Sequence, residues 1–217
     1  KRDFKINVCH SKIYSKFVPK IALMFRKLIF FIFCSFILNA SASELNRGLK
    51  ALENGDYDKA LYYISFDAVQ GDPIAQYNLG VMYRKGIGVE VDKKEAFGWF
   101  LLAANSDHML AKYALGMLYY HGDGVKINYA KALNLFLEAS YLGHPASQIN
   151  VGNMYYFGQS VSKNYPKAHM WWSLAKEKGV EGAFNNLTTI ENIMSENQLL
   201  EAHKLYNNCQ KKTLPQC

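Results

Sequence analysis

The sequence predicts an all-α protein in which short helical hairpins stack into a solenoid. Three observations predict this class. The chain repeats itself with a fixed period of 36 residues between Ala75 and Gly182. Each copy contains two runs with the apolar spacing of amphipathic helices, and no run of useful length alternates as a half-buried strand does. A fixed period of this length is typical of proteins whose repeats stack to bury a shared core.

The repeat is clearest in a six-residue segment that begins at Ala75 and returns, with substitutions, at Ala111 and at Ser147. The first two copies are identical at 13 of 36 positions and the last two at 11, so the period extends well beyond one short motif. Glycine recurs within the first helix of each copy, at Gly80, Gly116 and Gly152. Because glycine inside a helix costs about 1 kcal/mol relative to alanine, three equivalent glycines predict that a second helix crosses closely there.

Each full repeat is predicted to contain a first helix, helix A, and a second helix, helix B. Helix A is predicted over 75–85, 111–121 and 147–157, and helix B over 93–105, 129–142 and 165–178. Glycine-rich loops end each helix A with residues that tolerate positive φ. Helix B then follows a residue with an N-cap oxygen, at Asp92, Asn128 and Asn164. Pro166 lies in the first turn of its helix, where proline is tolerated.

The register divides the chain into short units. Full repeats are predicted at 75–110, 111–146 and 147–182. Residues 43–74 are predicted to form a shorter amino-terminal repeat, because they lack the loop insertion between the two helices. Residues 183–208 are predicted to be a half repeat and a capping helix, which starts with the capping box Ser195-Glu196-Asn197-Gln198. A solenoid needs such a cap, because an internal repeat leaves an open apolar flank. Residues 209–217 are the tail.

Residues 1–42 have the pattern of the leader of an exported protein. A basic pair precedes an apolar run of 11 residues over 28–38, and Ala40-Ser41-Ala42 follows it. These features are typical of a secretory signal peptide, and the run is too short to span a bilayer, which takes about 20 residues. We expect translation to start at Met24, with 1–23 as an upstream extension, and cleavage after Ala42. No stable membrane insertion would then remain; the alternative is an uncleaved membrane anchor.

The charge of the chain is concentrated in this leader. The chain carries 25 Lys and Arg residues and 18 Asp and Glu residues, a net charge of +7. Residues 1–42 hold eight of the basic residues and one acid, which leaves 17 of each sign in the rest of the chain. A protein that binds nucleic acid needs a basic face in its folded part. The balanced charge after the leader therefore predicts no nucleic-acid partner.

Two cysteines, Cys209 and Cys217, follow the leader, while Cys9 and Cys34 lie within it. Two cysteines in an exported chain predict one disulfide between them. Closing this short terminal loop would stabilise the fold by about 2–3 kcal/mol through loop entropy. The alternative is two free thiols on a frayed tail.

The repeated residues resemble a known family. With single departures, the copies share alanine, Leu-Gly, tyrosine, a Gly-x-Gly-Val loop, Asp or Asn, paired alanines, and an aromatic pair such as Trp99-Phe100 or Trp171-Trp172. This pattern resembles the Sel-one-like repeat, a branch of the tetratricopeptide superfamily, over about Glu44 to Tyr206. The departures are mild: Ser160 replaces a loop glycine, and Leu135 replaces the tryptophan.

The resemblance implies a right-handed superhelix of antiparallel helix pairs, in which the A helices line a concave groove. It also implies an interaction scaffold that binds a protein or peptide there and, for exported bacterial members, a place in the periplasm or outside the cell. Tyrosine, methionine and arginine are residues that interfaces favour. The groove positions of tetratricopeptide repeats correspond here to Tyr77, Val81, Arg84, Lys85, Tyr113, Met117, Tyr120, His121, Ile149, Asn153, Tyr156 and Phe157.

The sequence carries no enzyme pattern such as His-Glu-x-x-His or Gly-x-Ser-x-Gly. We therefore expect no catalytic residue, metal or cofactor. His108 and His144 share a repeat phase at the ends of B helices, which favours a role in the turn over metal ligation. The alternative function is a peptidoglycan-binding or cell-wall-modifying envelope protein that uses the groove as a substrate cleft. The absence of carboxylates from the groove positions argues against the hydrolase form of this alternative.

Overall fold

The computed structural model describes residues 44–211, and the predicted leader and its cleavage site lie outside this part of the chain. Within it the chain forms ten α-helices and no strand, so the predicted all-α class is confirmed. None of these helices is both long and apolar enough to cross a bilayer. In chain order they are α1 (44–53), α2 (Tyr57–Val69), α3 (Pro73–Lys85), α4 (Lys93–Asn105), α5 (Met109–His121), α6 (Tyr129–Tyr141), α7 (Pro145–Phe157), α8 (Tyr165–Glu177), α9 (Glu181–Glu191) and α10 (Glu196–Lys211).

The helices stack in the order of the sequence. Each helix from α2 to α9 packs on its neighbours along the chain, and α10 returns to pack on α8. At the amino-terminal end, Leu45 and Ala51 of α1 belong to the same buried cluster as Ile64 of α2. The result is an α-solenoid, in which α3, α5 and α7 are the A helices of the full repeats and α4, α6 and α8 are the B helices.

Three equivalent tyrosines join the successive cores of this stack. Tyr83 packs against the α1–α3 cluster and the α4–α5 cluster, and Tyr119 packs against the latter and the cluster of α6 to α8. Tyr155 continues the series toward α9. The Nζ atoms of Lys131 and Lys167 lie 5.0 and 5.3 Å from the ring centroids of Tyr119 and Tyr155. Because a single repeat cannot bury its apolar face alone, these shared rings make the core continuous.

The glycines inside the A helices lie where helix B crosses, as predicted. A Cβ atom added to Gly116 would lie 2.6 Å from Cε1 of Phe136, much closer than real side chains approach. At Gly152 the added atom would overlap the indole ring of Trp172, and Gly80 meets an equivalent ring. Each glycine therefore makes room for a large aromatic side chain that fills the core between the two helices.

The A helices begin two residues earlier than the sequence pattern predicted. Their first residues are Pro73, Met109 and Pro145. The preceding residue is the N-cap in each case: a carboxylate oxygen of Asp72, or the ring Nδ1 of His108 and His144, accepts a backbone N–H of the first turn. The predicted turn role of the two histidines is confirmed. Histidine is not among the preferred N-cap residues, so the sequence pattern gives no start signal in repeats two and three. In repeat one Asp72 and Pro73 do give that signal, and the predicted start at Ala75 is two residues late because it follows the repeated alanine.

The other helix ends follow the predicted chemistry. The side chains of Asp92, Asn128 and Asn164 each accept a backbone N–H in the first turn of a B helix. The A helices end at Gly86, Gly122 and Gly158, with φ of 71°, 76° and 74°. Ser160 replaces a loop glycine yet keeps a φ of 65°. The third loop therefore retains the backbone path of the other two.

The carboxyl-terminal cap begins with the predicted capping box. The Ser195 N–H donates to Oε1 of Gln198 over 3.0 Å, and the Gln198 N–H donates to Oγ of Ser195 over 3.3 Å. The helix continues to Lys211, three residues beyond the predicted end of the cap at 208, and buries Cys209 near its end. The disulfide between Cys209 and Cys217 stays a prediction, because Cys217 lies outside the described residues.

Candidate functional site

The twelve predicted groove residues lie on α3, α5 and α7, and none of them is buried. We call the surface that they form the A-helix face. Nine of the residues are partly exposed, and Lys85, His121 and Phe157 are exposed. Their spacing of four, three and one residues places them along one side of each helix. The opposite sides of the same helices carry core residues such as Leu79 and Leu115.

In the first two repeats a tyrosine of the A-helix face is supported from below by other rings. The ring centroid of Tyr77 lies 5.7 Å from that of Phe100 and 5.0 Å from that of His108. Tyr113 repeats the arrangement, and its centroid lies 4.5 Å from that of its cap histidine, His144. These contacts hold each ring in one orientation while its other side stays open to solvent. A ring fixed in this way loses little side-chain entropy when a partner binds.

Repeats one and two share a patch of this face. Burial raises the pKa of Tyr77, the positive charge of Arg84 acts against this rise, and Tyr113 adds to it. Tyr77 and Val81 of α3 also pack against the buried cluster of α4 and α5, and this contact joins the two repeats. The raised pKa keeps the Tyr77 hydroxyl neutral at pH 7, where it can donate or accept a hydrogen bond. Arg84 of the same face offers a planar cation, which suits a carboxylate of a partner.

A second pair of tyrosines extends the face toward the third repeat. The ring centroid of Tyr120 lies 5.3 Å from that of Tyr129, and the Tyr120 hydroxyl donates to Oε1 of Gln159 over 3.0 Å. Gln159 lies in the loop after α7, so this bond joins repeats two and three; the sequence analysis did not include it. Tyr156 lies over the buried indole of Trp172, with 5.6 Å between ring centroids.

Side-chain amides continue the face to α9. The Nδ2 atom of Asn150 lies 3.5 Å from Sδ of Met117, and Nδ2 of Asn186 lies 3.4 Å from Oδ1 of Asn153. These two contacts connect the A-helix face on α5 and α7 to α9. Asn150 and Asn186 were missed in the sequence analysis. The recurrence of asparagine at 78, 150 and 186, separated by multiples of the period, is the pattern that could have found them.

The cap histidines are neutral in the folded chain at pH 7. Burial lowers the pKa of His108 and His144, while Asp72 acts in the opposite direction on His108. Each accepts a backbone N–H through Nδ1, which requires an unprotonated nitrogen. Among residues 44–211, no group of three or more His, Cys, Asp or Glu side chains is placed to hold a metal ion.

A polar cluster around the buried His169 joins three helices at the carboxyl-terminal end. His169 of α8 pairs through Nε2 with Oε1 of Glu191 on α9 at 2.9 Å, and its Nδ1 lies 3.3 Å from Oγ of Ser173. Its ring centroid lies 5.6 Å from that of His203 on α10. Ser173 lies inside α8, where its own backbone N–H bonds within the helix. The contacts of the cluster link α8, α9 and α10.

Comparisons with known proteins agree with this architecture. The sequence profile of the Sel1 repeat matches residues 73–108, 110–144 and 145–180. The crystal structure of a Sel1 repeat protein from Oxalobacter formigenes is similar, with 28% identity and a TM-score of 0.63 over 66% of this chain; the chain spans 59% of that protein's length. A protective antigen present in uropathogenic Escherichia coli strains, which displays an SLR fold, matches with 26% identity and a TM-score of 0.47 over 80% of this chain and 46% of its own. No curated protein matches the sequence.

The matched repeats coincide with the three full helix pairs, α3 to α8. Each match contains one core glycine of an A helix and the B-helix ring that it accommodates. Sel1 repeat proteins are generally protein-interaction scaffolds and are typically not enzymes. From its period, its packing and these matches, the chain is a Sel1-like repeat protein, with three Sel1 repeats over residues 73–180.

Proposed function

We propose that this chain is a non-catalytic scaffold that binds a protein or peptide partner on the A-helix face, in a bacterial cell envelope or outside the cell. One observation carries the proposal. The A-helix face presents exposed but supported aromatic rings, a cation and side-chain amides in a continuous series over four helices. The leader sequence and the bacterial sources of the similar structures support the proposed location.

The chemistry of the face suits recognition of an extended or helical protein segment. Tyrosine and arginine dominate the energetic centres of protein interfaces, because each adds contact area and a polar group at low entropy cost. Tyr77, Tyr113 and Tyr120 meet this condition, since their rings are already fixed by neighbouring rings. Asparagine side chains can bond both the N–H and the C=O of a partner's backbone. The amides near Asn150 and Asn186 therefore complement the aromatic half of the face.

The test is capture of a specific partner from the native envelope by crosslinking and pull-down with the chain. The variant Tyr77→Ala, Arg84→Ala, Tyr120→Ala is expected to lose the partner while its circular dichroism spectrum stays unchanged. A matched control carries three alanines on exposed B-helix positions, at Lys94, Leu101 and Asn134. This control is expected to retain the partner. Equal capture by both variants would contradict the proposal.

A charge-reversed variant keeps the test decisive if the triple variant fails to fold. The side chain of Lys85 is exposed and that of Arg84 is partly exposed, so Arg84→Glu and Lys85→Glu are expected to leave the fold intact and to weaken capture. The peptidoglycan-binding alternative is tested with purified chain and muropeptides in the absence of any other protein. Saturable binding or turnover of muropeptides would favour that alternative over a protein-binding scaffold.

A further inference from the structure

The outer side of α2 carries an apolar stripe that no described residue covers. Tyr62, Phe66 and Val69 follow one another at spacings of four and three residues, which places them on one side of the helix. Their side chains are 70%, 53% and 72% exposed. We call these three positions the outer α2 face. It lies on a B helix, so it is separate from the A-helix face of the proposed function.

The repeat register shows how the same three positions are used in the other B helices. They are Gly98, Leu102 and Asn105 in α4, Asn134, Glu138 and Tyr141 in α6, and Met170, Leu174 and Glu177 in α8. In α4 and α6 the positions are mixed or polar, as expected of residues that face water. In α8 two of the three are apolar and buried, with Leu174 only 8% exposed. The stripe is therefore apolar at both ends of the solenoid and covered at one of them.

At the covered end the partner of the stripe is α10. The sulfur of Cys209 lies 3.3 Å from that of Met170, and Leu205 packs against the same cluster. The Glu177 carboxylate accepts hydrogen bonds from the hydroxyl of Tyr206 and from a neighbouring amide. The contacting residues of α10 recur at helical spacing, with small or apolar side chains toward α8. The chain itself thus shows that an amphipathic helix fits this position of a B helix.

We propose that the outer α2 face binds an amphipathic helix of a partner protein in the way that α10 covers α8. The outer α2 face differs in one respect from the equivalent positions of α8. Val69 stands where α8 has Glu177, so the partner helix carries an apolar residue where α10 carries Tyr206. Lys59, three residues before Tyr62, is already paired, since its Nζ lies 2.5 Å from Oδ2 of Asp56. Apolar contact therefore dominates recognition at this face.

The probe for this site is a fluorescein-labelled peptide with the α10 sequence, Glu196–Lys211, in which Tyr206→Leu replaces the hydroxyl that Val69 cannot bond. Fluorescence anisotropy with the full chain is expected to show saturable one-to-one binding. The variant Phe66→Asp is expected to weaken binding by about tenfold or more, as removal of a central apolar contact does. Leu102→Asp, the same change at the equivalent exposed position of α4, is the matched control and is expected to leave affinity unchanged.

Three results would overturn the proposal. The first is the absence of saturable binding. Binding that Phe66→Asp does not weaken counts equally against it, because the peptide would then bind elsewhere, for example on α8 by displacing α10. The second is a dimer in sedimentation velocity that Phe66→Asp abolishes, because a second copy would then occupy the face. The third is strong protection of α2 from hydrogen exchange in the full chain without peptide, beyond that of α4, because another segment of the chain would then cover it. Unchanged circular dichroism of both aspartate variants shows that each comparison is made on folded chains.

Discussion

An aromatic ring fills the space beneath the A-helix face in every full repeat, but the first two repeats and the third take its main part from different helices. In repeats one and two, Tyr77 and Tyr113 provide a ring from helix A, which packs at a tilt against a phenylalanine of helix B. In repeat three Ile149 stands at the tyrosine position, and Trp172 provides the larger ring from helix B. Its indole N–H donates to the carbonyl oxygen of Ile149 over 3.2 Å. The same backbone geometry therefore accepts either a tyrosine on helix A with a phenylalanine on helix B, or an isoleucine on helix A with a tryptophan on helix B.

This difference means that the aromatic rings of repeats one and two are available to a partner, whereas the indole of repeat three is used for packing. Tyr77 and Tyr113 keep part of each ring exposed, with a hydroxyl available to a partner. Trp172 is buried, and its only polar atom is used by a backbone carbonyl. We therefore expect repeats one and two to contribute most of the binding chemistry at this position, and repeat three to contribute mainly stability. The predictions below test the comparison.

The largest effect is expected where the tryptophan repeat is most tightly packed. Gly152→Ala places a methyl group against the indole of Trp172, which cannot move away without losing its hydrogen bond. We expect the free energy of unfolding to fall by about 3 kcal/mol, near the upper end for overpacked cores. Gly80→Ala is expected to cost less, about 1–2 kcal/mol, because the ring of Phe100 has no hydrogen bond to hold it. Urea unfolding followed by circular dichroism measures both.

Gly98 provides the control for this comparison. It lies inside α4, and an added Cβ would meet no atom within 4 Å. Gly98→Ala should therefore raise the free energy of unfolding by about 0.5–1 kcal/mol, because alanine favours the helix. If Gly152→Ala did not lower the free energy of unfolding either, the prediction of a tight contact between Gly152 and the indole would be wrong.

The next effect tests whether repeat three can take the side-chain pair of repeats one and two. Trp172→Phe removes the bond to the carbonyl of Ile149 and leaves a cavity, so we expect a loss of about 2 kcal/mol in the free energy of unfolding. Adding Ile149→Tyr restores the arrangement of repeats one and two and should recover about 1 kcal/mol of that loss. A double-mutant cycle measures the coupling. Strictly additive effects would show that the two positions do not share one space.

A smaller effect distinguishes the N-caps of the repeats. Asp72 caps the first A helix, whereas His108 and His144 cap the next two. Burial lowers the pKa of both histidines in the folded chain, so the unfolded chain binds more protons below its ordinary histidine pKa of about 6.5. Stability from these caps is therefore present above about pH 6.5 and is lost as the pH falls toward the folded pKa.

Replacing both histidine caps by aspartate, the cap residue of repeat one, isolates the pH-dependent stability that the histidines contribute. His108→Asp with His144→Asp keeps a charged acceptor down to about pH 4, so this variant should lose less stability than the parent chain between pH 7.5 and pH 5.0. We expect a difference of about 1 kcal/mol, the usual worth of one N-cap. The loss due to His169, whose pKa is also lowered by burial, is common to both proteins and cancels. Identical pH profiles would contradict the assigned cap role.

The stacking of the helices could be predicted from the sequence because the residues that shape each helix pair recur with the period. The fit of Gly116 against Phe136 and the caps at Asn128 and Asn164 are examples, since each depends on local spacing alone. The predicted start of the A helices is two residues late because it follows the repeated alanine or serine. In repeats two and three the histidine N-cap also has no strong sequence signature, whereas Asp72 and Pro73 have one in repeat one. Local rules therefore account for the elements and for their order.

Contacts between repeats could not be predicted in the same way. The approach of Asn150 to Met117 and of Asn186 to Asn153 depends on the rise and rotation between successive hairpins, which no local pattern encodes. The packing of α10 on α8 is a second case. Its apolar stripe predicts that the helix packs, but the choice of α8 depends on the exposed side chains of a helix that lies about 30 residues earlier in the chain.

The smallest effects are expected at the two junctions between repeats. At the first junction Lys93 Nζ lies 2.6 Å from Oδ1 of Asp123, and at the second the Tyr120 hydroxyl bonds Gln159, which is equivalent to Asp123. The first pair is exposed, so Lys93→Ala should cost at most about 0.5 kcal/mol, and less as salt is added. Tyr120→Phe removes a partly buried neutral bond and should cost about 0.5–1 kcal/mol at every salt concentration. Urea unfolding in 0.05 and 0.5 M NaCl measures both; if the cost of Lys93→Ala did not change with salt, the first junction would not depend on its ion pair, and the two junctions would not differ in kind.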